Sequence, residues 1–298
     1  MKLYKRVKFK TMKTFSTIML FLFINVTCFS QQSQIKVNDQ KRSFITYVPK
    51  SLDSTKTTPL LFNFHGGGMS ALEQMFYTQM NDSAETYGFI AVYPQGIESD
   101  WNVGFDMDYD KGSDDVSFVK AILRQLKKEH NIDEKAIFAT GLSRGGFFTY
   151  RLAVEMPETF AAIGAIGAPM PNQVQQRHNS NEKVAVLLAQ GDADVIVKSK
   201  GKKSAYLSAQ QTVEYWAKHN QNILDVSIKN INTIEDETEV VVNTYKGNKS
   251  VVLVKVINGG HTWPGSNDFN IGYPLGKTTH DISMNKILWE FFNKNRKE

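Results

Sequence analysis

The stretch that decides the fold lies at residues 136–151 and reads A-I-F-A-T-G-L-S-R-G-G-F-F-T-Y-R. Its first four residues form an apolar run that is typical of a buried strand, and the residues from Phe147 onward are typical of a buried helix. Between them, G-L-S-R-G at residues 141–145 matches the G-x-S-x-G pattern, in which a serine occupies a sharp turn from strand to helix. The pattern alone recurs by chance, so the flanking strand and helix are what favour a nucleophilic serine.

The chemistry of such a turn explains the spacing of its glycines. Ser143 must occupy a strained turn that lifts its hydroxyl above the edge of the sheet. Side chains two residues to either side would collide there, which accounts for Gly141 and Gly145. The following helix directs its positive N-terminal end at the place where an oxyanion would form, so we expect the N–H of Arg144 to be one oxyanion donor.

Residues 1–30 carry six basic residues and no acidic one, with an apolar run from Phe15 through Phe29. A basic start, an apolar middle and small residues near the end predict a signal peptide that is cleaved after Ser30. The expected product is secreted or periplasmic, without stable membrane association. A retained anchor and a lipid on Cys28 are the alternatives.

The charge balance changes when this leader is set aside. The chain has 35 Lys and Arg against 30 Asp and Glu, and removing the six basic residues leaves 29 against 30. The basicity therefore belongs to the leader, and we expect no nucleic-acid partner. Cys28 is the only cysteine, which excludes a disulfide or a thiolate site from the remainder.

Strand and helix patterns alternate along the rest of the chain, which has no internal repeat and no linker. Alternating apolar residues between Ile35 and Val48 predict a pair of strands at one sheet edge. Further strands are predicted at residues 59–65, 89–93, 160–166, 183–189, 223–228, 239–245 and 251–257, and helices at residues 115–130, 207–219 and 281–293. The alternation predicts one α/β domain over residues 31–298, with a mostly parallel sheet covered on both faces.

A serine nucleophile needs a base and an acid that orients the base, and these follow the serine in α/β-hydrolase order. His261 is the candidate base because it lies in a glycine-flanked loop directly after a predicted strand. His65 ends a central strand, where a structural hydrogen bond is expected, and His178 is expected to be solvated. For the acid, Asp192 and Asp194 follow the strand at 183–189, and spacing alone does not choose between them.

The second oxyanion donor is expected from the glycines after the strand at residues 59–65, because glycine lets a backbone N–H approach a substrate. Gly67 is our candidate, with Gly68 as the alternative.

Several of these motifs together resemble the polyhydroxybutyrate depolymerase/feruloyl esterase family of α/β-hydrolases, which includes members of carbohydrate esterase family 1. They are H-G-G-G at 65–68, D-D-V at 114–116, G-L-S-R-G-G at 141–146, the acid loop, and G-G-H-T-W-P-G at 259–265, the most specific. The resemblance runs from about residue 41 to the end and implies Asp194 as the acid. Two departures, Gln190 and the lysine-rich residues 198–203, lie beside the acid loop and are not expected to touch the triad.

Two further features bear on ligands. Residues 106–112 start like a calcium loop, but the glycine comes one position late and Ser117 replaces the closing glutamate. We interpret them as a polar loop and expect no metal and no cofactor. Trp263, two residues from the base, and Trp101, after a central strand, are candidate substrate-binding residues, with core packing as the alternative.

The sequence thus predicts a secreted serine esterase with Ser143, Asp194 and His261 as its triad. By the resemblance, its substrates are feruloyl or acetyl esters linked to plant polysaccharide. The alternatives are a polyhydroxybutyrate depolymerase and a catalytically inactive glycan-binding fold.

Overall fold

The computed structural model describes residues 30–223, 226–267 and 274–298. The predicted leader lies outside the described residues, apart from Ser30, which begins the first strand. Within the described ranges, none of the helices is both long and apolar enough to cross a membrane.

The described residues form one ten-stranded sheet in the order β1-β2-β4-β3-β5-β6-β7-β10-β9-β8. The strands are β1 Ser30–Val37, β2 Gln40–Tyr47, β3 Thr58–Phe64, β4 Ile90–Pro94, β5 Ile132–Leu142, β6 Ala162–Ile166, β7 Ala185–Gly191, β8 Val226–Ile231, β9 Glu239–Tyr245 and β10 Val251–Ile257. The six central strands from β4 to β10 pair in parallel, whereas β1, β2, β9 and β8 pair antiparallel at the two edges. The predicted opening pair of strands at a sheet edge is therefore confirmed.

Seven α-helices accompany the sheet in the described part of the chain. They are α1 Ala71–Thr78, α2 Met80–Tyr87, α3 Asp115–Glu129, α4 Arg144–Glu155, α5 Asn172–Arg177, α6 Ala209–His219 and α7 Met284–Lys294. The predictions of α3, α6 and α7 are confirmed, whereas α1, α2 and α5 were not predicted. For α1 the sequence carried a signal, because the Ser70 hydroxyl accepts from the Glu73 N–H and the Glu73 carboxylate accepts from the Ser70 N–H.

The core has two layers, one on each face of the sheet. On β3, Leu60, Phe62 and Phe64 point to one face and Leu61 to the other, as the two-residue period of a strand requires. Helices α3, α4 and α6 supply buried side chains to the first layer, and α1, α2 and α7 supply them to the second. Burial on both faces explains why the central strands are almost continuously apolar.

Candidate active site

Ser143 lies alone between β5 and α4, in a backbone conformation that side-chain-bearing residues rarely adopt. Its φ is 53° and its ψ is −119°, a costly combination that must be held by its surroundings. The Ser143 N–H donates to the carbonyl of Ile166 at the end of the neighbouring strand, at 2.8 Å. The side chain is half-exposed, so the turn presents the hydroxyl at the carboxyl edge of the sheet.

The two glycines of the turn are required by close backbone contacts. A Cβ added to Gly141 would lie 2.6 Å from the carbonyl carbon of Gly145 and 2.8 Å from the carbonyl oxygen of Phe64. A Cβ added to Gly145 would collide with the same Phe64 carbonyl. The collision predicted from the sequence is confirmed, and it involves both the turn itself and the end of β3.

His261 and Asp194 are hydrogen-bonded to each other, with 2.6 Å between His261 Nδ1 and Asp194 Oδ2. Both side chains are buried. Asp192 has a different partner, because its Oδ1 accepts from the backbone N–H of Asn258 at 2.7 Å. Of the two aspartates that the sequence left open, Asp194 is the one that reaches the imidazole.

The Asp194 carboxylate accepts three more hydrogen bonds. Its Oδ1 accepts from the backbone N–H groups of Ile196 at 2.9 Å and Val197 at 2.8 Å, and its Oδ2 accepts from Gln190 Nε2 at 3.1 Å. The expectation that Gln190 does not touch the triad residues was therefore wrong. Four donors on two oxygens fix the orientation of the carboxylate that faces His261.

The loop that carries His261 is fastened by backbone hydrogen bonds. The His261 N–H donates to the Leu275 carbonyl at 2.5 Å, and the Gly260 N–H donates to the Lys277 carbonyl at 2.8 Å. Trp263 donates its backbone N–H to the hydroxyl of Tyr77 on α1, at 2.9 Å. The loop that carries the base is thus fixed by residues 275–277 and by α1.

Gly167 lies against the His261 ring and was not singled out in the sequence. Its φ is +60°, and a Cβ there would come within 2.9 Å of both Cε1 and Nδ1 of His261. Gly167 directly follows Ile166, whose carbonyl holds the Ser143 N–H. The end of β6 therefore brings the elbow and the imidazole to the same place.

The serine and the imidazole are not yet hydrogen-bonded to each other. Within the described ranges, the Ser143 hydroxyl donates to no acceptor, and the His261 ring is bonded through Nδ1 to Asp194, which leaves Nε2 available. Catalytic hydrogen bonds of this kind often form only when substrate is bound.

Gly67 is better placed than Gly68 to donate to an oxyanion. The N–H of Gly68 already donates to the Ser99 carbonyl at 2.8 Å, whereas the N–H of Gly67 has no acceptor among the described residues. A Cβ built on Gly67 would lie 3.6 Å from Arg144 Cβ. Arg144 is the first residue of α4, where backbone N–H groups lack an intrahelical acceptor. Gly67 and Arg144 therefore lie next to each other, and neither backbone N–H has an acceptor among the described residues.

The Arg144 side chain forms an ion-pair network beside this pair of donors. Its Nε lies 2.9 Å from Asp100 Oδ1, its Nη2 lies 3.1 Å from Asp106 Oδ2, and its Nη1 donates to the Phe105 carbonyl. Burial raises the pKa of the Asp100 carboxyl, and the Arg144 guanidinium opposes that rise. Asp100 was not singled out in the sequence, and it lies close to Gly67.

Both candidate substrate-binding tryptophans belong to the core, so these two predictions were wrong. Trp101 is fully buried, donates Nε1 to the His65 carbonyl at 2.9 Å and stacks on Phe148. Trp263 is 1% exposed and donates Nε1 to Asn285 Oδ1. Neither ring has a surface left for a substrate.

Two other histidines, His65 and His178, have structural partners. His65 Nε2 accepts from the Gly96 N–H at 2.9 Å, which confirms a structural role, and burial lowers the pKa of His65 to about 4. His178 is not solvated as predicted, because it is half-buried and its Nδ1 lies 2.8 Å from the Tyr215 hydroxyl. Burial lowers the pKa of His178 to about 4 as well.

The polar loop at residues 106–112 uses its carboxylates in protein contacts. Asp106 pairs with Arg144, Asp110 pairs with Arg177, and Asp108 accepts from backbone N–H groups of its own turn. Asp114 caps α3 by accepting from the Ser117 N–H. In the part of the chain that the structure describes, no cluster of three or more potential metal ligands is found.

Comparison with known proteins places these residues in a family. The sequence model of the family described as "Esterase PHB depolymerase" matches residues 42–197. A bifunctional acetylxylan esterase/xylanase of Neocallimastix patriciarum is 31% identical over 165 residues, which cover 50% of this chain and 23% of that protein. Feruloyl esterase C of Emericella nidulans is 26% identical over 165 residues, which cover 52% of this chain and 56% of that protein. The chain spans less than two thirds of the length of either relative.

A solved structure extends the likeness over most of the fold. An acetyl xylan esterase from Aspergillus awamori is similar with a TM-score of 0.62 at 16% identity, covering 89% of this chain and 99% of that one. Together with the parallel central strands and the helices on both faces, this likeness confirms the predicted α/β-hydrolase fold.

Proposed function

Because this chain belongs to the esterase PHB depolymerase family, we propose that it is a serine esterase that forms an acyl-enzyme on Ser143. The observation that carries the proposal is the buried hydrogen bond between His261 and Asp194, beside the strained turn that presents Ser143. Nucleophilic catalysis by a serine needs a base beside its hydroxyl and an acid that orients the base, and His261 and Asp194 supply this pair.

The reaction then follows the chemistry of these side chains. Ser143 Oγ attacks the ester carbonyl while His261 Nε2 takes its proton, and Asp194 stabilises the imidazolium that results. The imidazolium returns the proton to the departing alkoxide, which leaves as an alcohol. Water then attacks the acyl-enzyme, again giving a proton to His261, which passes it to Ser143 as the acid product leaves.

The negative oxygen of each tetrahedral intermediate would be held by backbone donors. The N–H groups of Arg144 and Gly67 are our candidates, because the two residues lie next to each other and neither N–H has an acceptor in the described part of the chain. The N-terminal end of α4 adds a positive potential at the same point. Removing one such donor in a serine hydrolase costs about 3 to 4 kcal/mol of transition-state stabilisation.

The proposed substrates are feruloyl or acetyl esters linked to plant polysaccharide. The two relatives, a bifunctional acetylxylan esterase/xylanase and a feruloyl esterase, support this class. Two local features suit an apolar acyl group. The half-buried Phe105 ring packs edge-on against Phe147 beside Arg144. The exposed side chains of Val195 and Ile196 directly follow the acid. Recognition by stacking on Trp101 or Trp263 is not part of the proposal, because both are buried.

A second candidate is a polyhydroxybutyrate depolymerase. Leu72 and Phe76 are 49% and 66% exposed, and they lie four residues apart on one face of α1. This helix directly follows the glycines at residues 66–68. Exposed apolar side chains so close to the candidate site suit contact with a polymer surface.

A comparison of three substrates tests the proposal: methyl ferulate, acetylated xylo-oligosaccharide and a polyhydroxybutyrate film under one set of conditions. We expect hydrolysis of the soluble esters and its loss in Ser143→Ala. Rapid clearing of the film without activity on the soluble esters would promote the depolymerase. If no ester is hydrolysed but the oligosaccharide binds, the result would indicate a catalytically inactive glycan-binding protein instead.

We also propose that the chain is exported and loses its leader. The support is the basic and apolar pattern of residues 1–30. Mass spectrometry of the exported form should find an N-terminus at Gln31. An N-terminus at Met1 or a lipid on Cys28 would contradict the proposal.

A further inference from the structure

Gln190 is a buried polar side chain that ends next to the candidate acid. It lies near the end of β7, is 2% exposed, and places Nε2 at 3.1 Å from Asp194 Oδ2 and at 2.9 Å from the Val197 carbonyl. A third contact reaches the Gly191 carbonyl at 3.3 Å. All three partners are acceptors, so the atom that faces them must be the amide nitrogen.

The amide and the imidazole donate to the same oxygen. Asp194 Oδ2 accepts from His261 Nδ1 at 2.6 Å and from Gln190 at 3.1 Å, whereas Oδ1 accepts from two backbone N–H groups of its own loop. Gln190 is therefore the side chain, apart from His261, that fixes the direction in which Oδ2 points. Its contact with the Val197 carbonyl ties that direction to the far side of the acid loop.

We propose that Gln190 is a positioning residue for the acid: its neutral amide holds Asp194 Oδ2 in line with His261 Nδ1. The inference rests on the proposed function, since it assigns Gln190 to the triad of that esterase. A hydrogen bond to a charged group is stronger than one between neutral groups. Loss of the amide donor lets the carboxylate rotate, and the imidazole that it orients then moves away from Ser143.

Gln190→Met removes the donor while keeping a side chain of similar length. Gln190→Glu keeps the shape of the amide but sets a second carboxyl against Asp194, so it should impair catalysis more than methionine does. This second variant keeps the proposal testable if the first folds poorly.

The chain offers a matched control in Gln74. This glutamine is also fully buried, donates Nε2 to Asn63 Oδ1 at 2.9 Å, and like Gln190 has an Oε1 without a partner among the described residues. It lies on α1, and its amide donates to Asn63 on β3 and not to Asp194. Gln74→Met should therefore lower the free energy of unfolding by removing a buried amide, but it should leave the orientation of Asp194 unchanged.

The experiment measures kcat and KM on p-nitrophenyl acetate, together with the downfield proton resonance of His261 Nδ1–H. We expect Gln190→Met to lower kcat by about 10-fold to 100-fold with KM little changed, and to move or broaden that resonance. Gln74→Met should leave both unchanged. Equal kcat values and an unmoved resonance in the two variants would overturn the inference. The resonance separates this failure from that of the proposed function, which fails if Ser143→Ala retains full activity.

Discussion

Adding one methyl group at Gly167 should displace the His261 ring, and its effect on catalysis can be measured apart from its effect on the stability of the fold. Gly167→Ala places a Cβ 2.9 Å from Cε1 and Nδ1 of His261, where ordinary contacts lie at 3.4 to 4 Å. The imidazole must therefore move by about 0.5 Å or more away from the added methyl group, which changes its alignment with Asp194 and Ser143. Since a 1 Å misplacement can cost about 100-fold in rate, we expect kcat to fall about 10-fold or more.

The same substitution also strains the backbone, because the φ of Gly167 is +60°. A side-chain-bearing residue in the left-handed region costs roughly 1–2 kcal/mol. Gly88→Ala supplies the matched control, because Gly88 has a φ of +73° and nothing lies within 4 Å of an added Cβ. Both variants should lose a similar free energy of unfolding, and Gly167→Ala should lose activity in addition.

The assay combines steady-state hydrolysis of p-nitrophenyl acetate with urea unfolding of both variants and the wild type. Urea unfolding measures the strain that the two substitutions share, and the ratio of their kcat values isolates the displacement of the ring. A Gly167→Ala enzyme with the same kcat as Gly88→Ala would refute the reasoning, because His261 would then tolerate a clash that should move it.

Three further predictions concern the acid, the arginine and a buried histidine. Asp194→Asn should reduce kcat by orders of magnitude and Asp192→Asn much less, because Asp194 is the one that bonds to His261; kinetics of the pair would show the reverse ranking if Asp192 were the acid. Arg144→Ala should lower kcat by exposing the oxyanion donors to the Asp100 charge, and adding Asp100→Asn should recover part of the loss in a double-mutant cycle. Burial lowers the pKa of His65 from 6.5 to about 4, so protonation of this imidazole favours the unfolded chain. The free energy of unfolding should therefore be highest above pH 6.5 and fall as the pH falls towards 4. The loss should be on the order of 3 kcal/mol. Urea unfolding across this range should show a smaller loss in His65→Gln, and equal losses would contradict this account.

The elbow and the central strands could be predicted because their signals are local. The apolar run before Ser143, the glycines at 141 and 145, and the glycine-flanked loop of His261 are each recognisable from a few consecutive residues. Spacing alone left Asp192 and Asp194 open, and the family resemblance was what favoured Asp194, because the contact depends on which side chain crosses from β7 to the loop after β10.

The errors have a common physical cause, since proximity in sequence does not fix the direction of a side chain. Trp263 lies two residues from His261, yet its ring turns into the core against α7. Gly167 contacts the His261 ring from 94 positions away along the chain, and Gln190 lies only four positions from Asp194 but turns its side chain inward to reach the carboxylate. Contacts of that kind leave no periodic signal.

The central claim, an acyl-enzyme on Ser143, is tested most directly by locating a fluorophosphonate adduct with mass spectrometry. Trypsin should release residues 136–144 as one peptide, because Lys135 precedes it and Arg144 ends it, and Ser143 is its only serine. We expect one adduct per chain on this peptide in the wild type and none in Ser143→Ala. An adduct on a different peptide, or undiminished labelling of Ser143→Ala, would contradict the account.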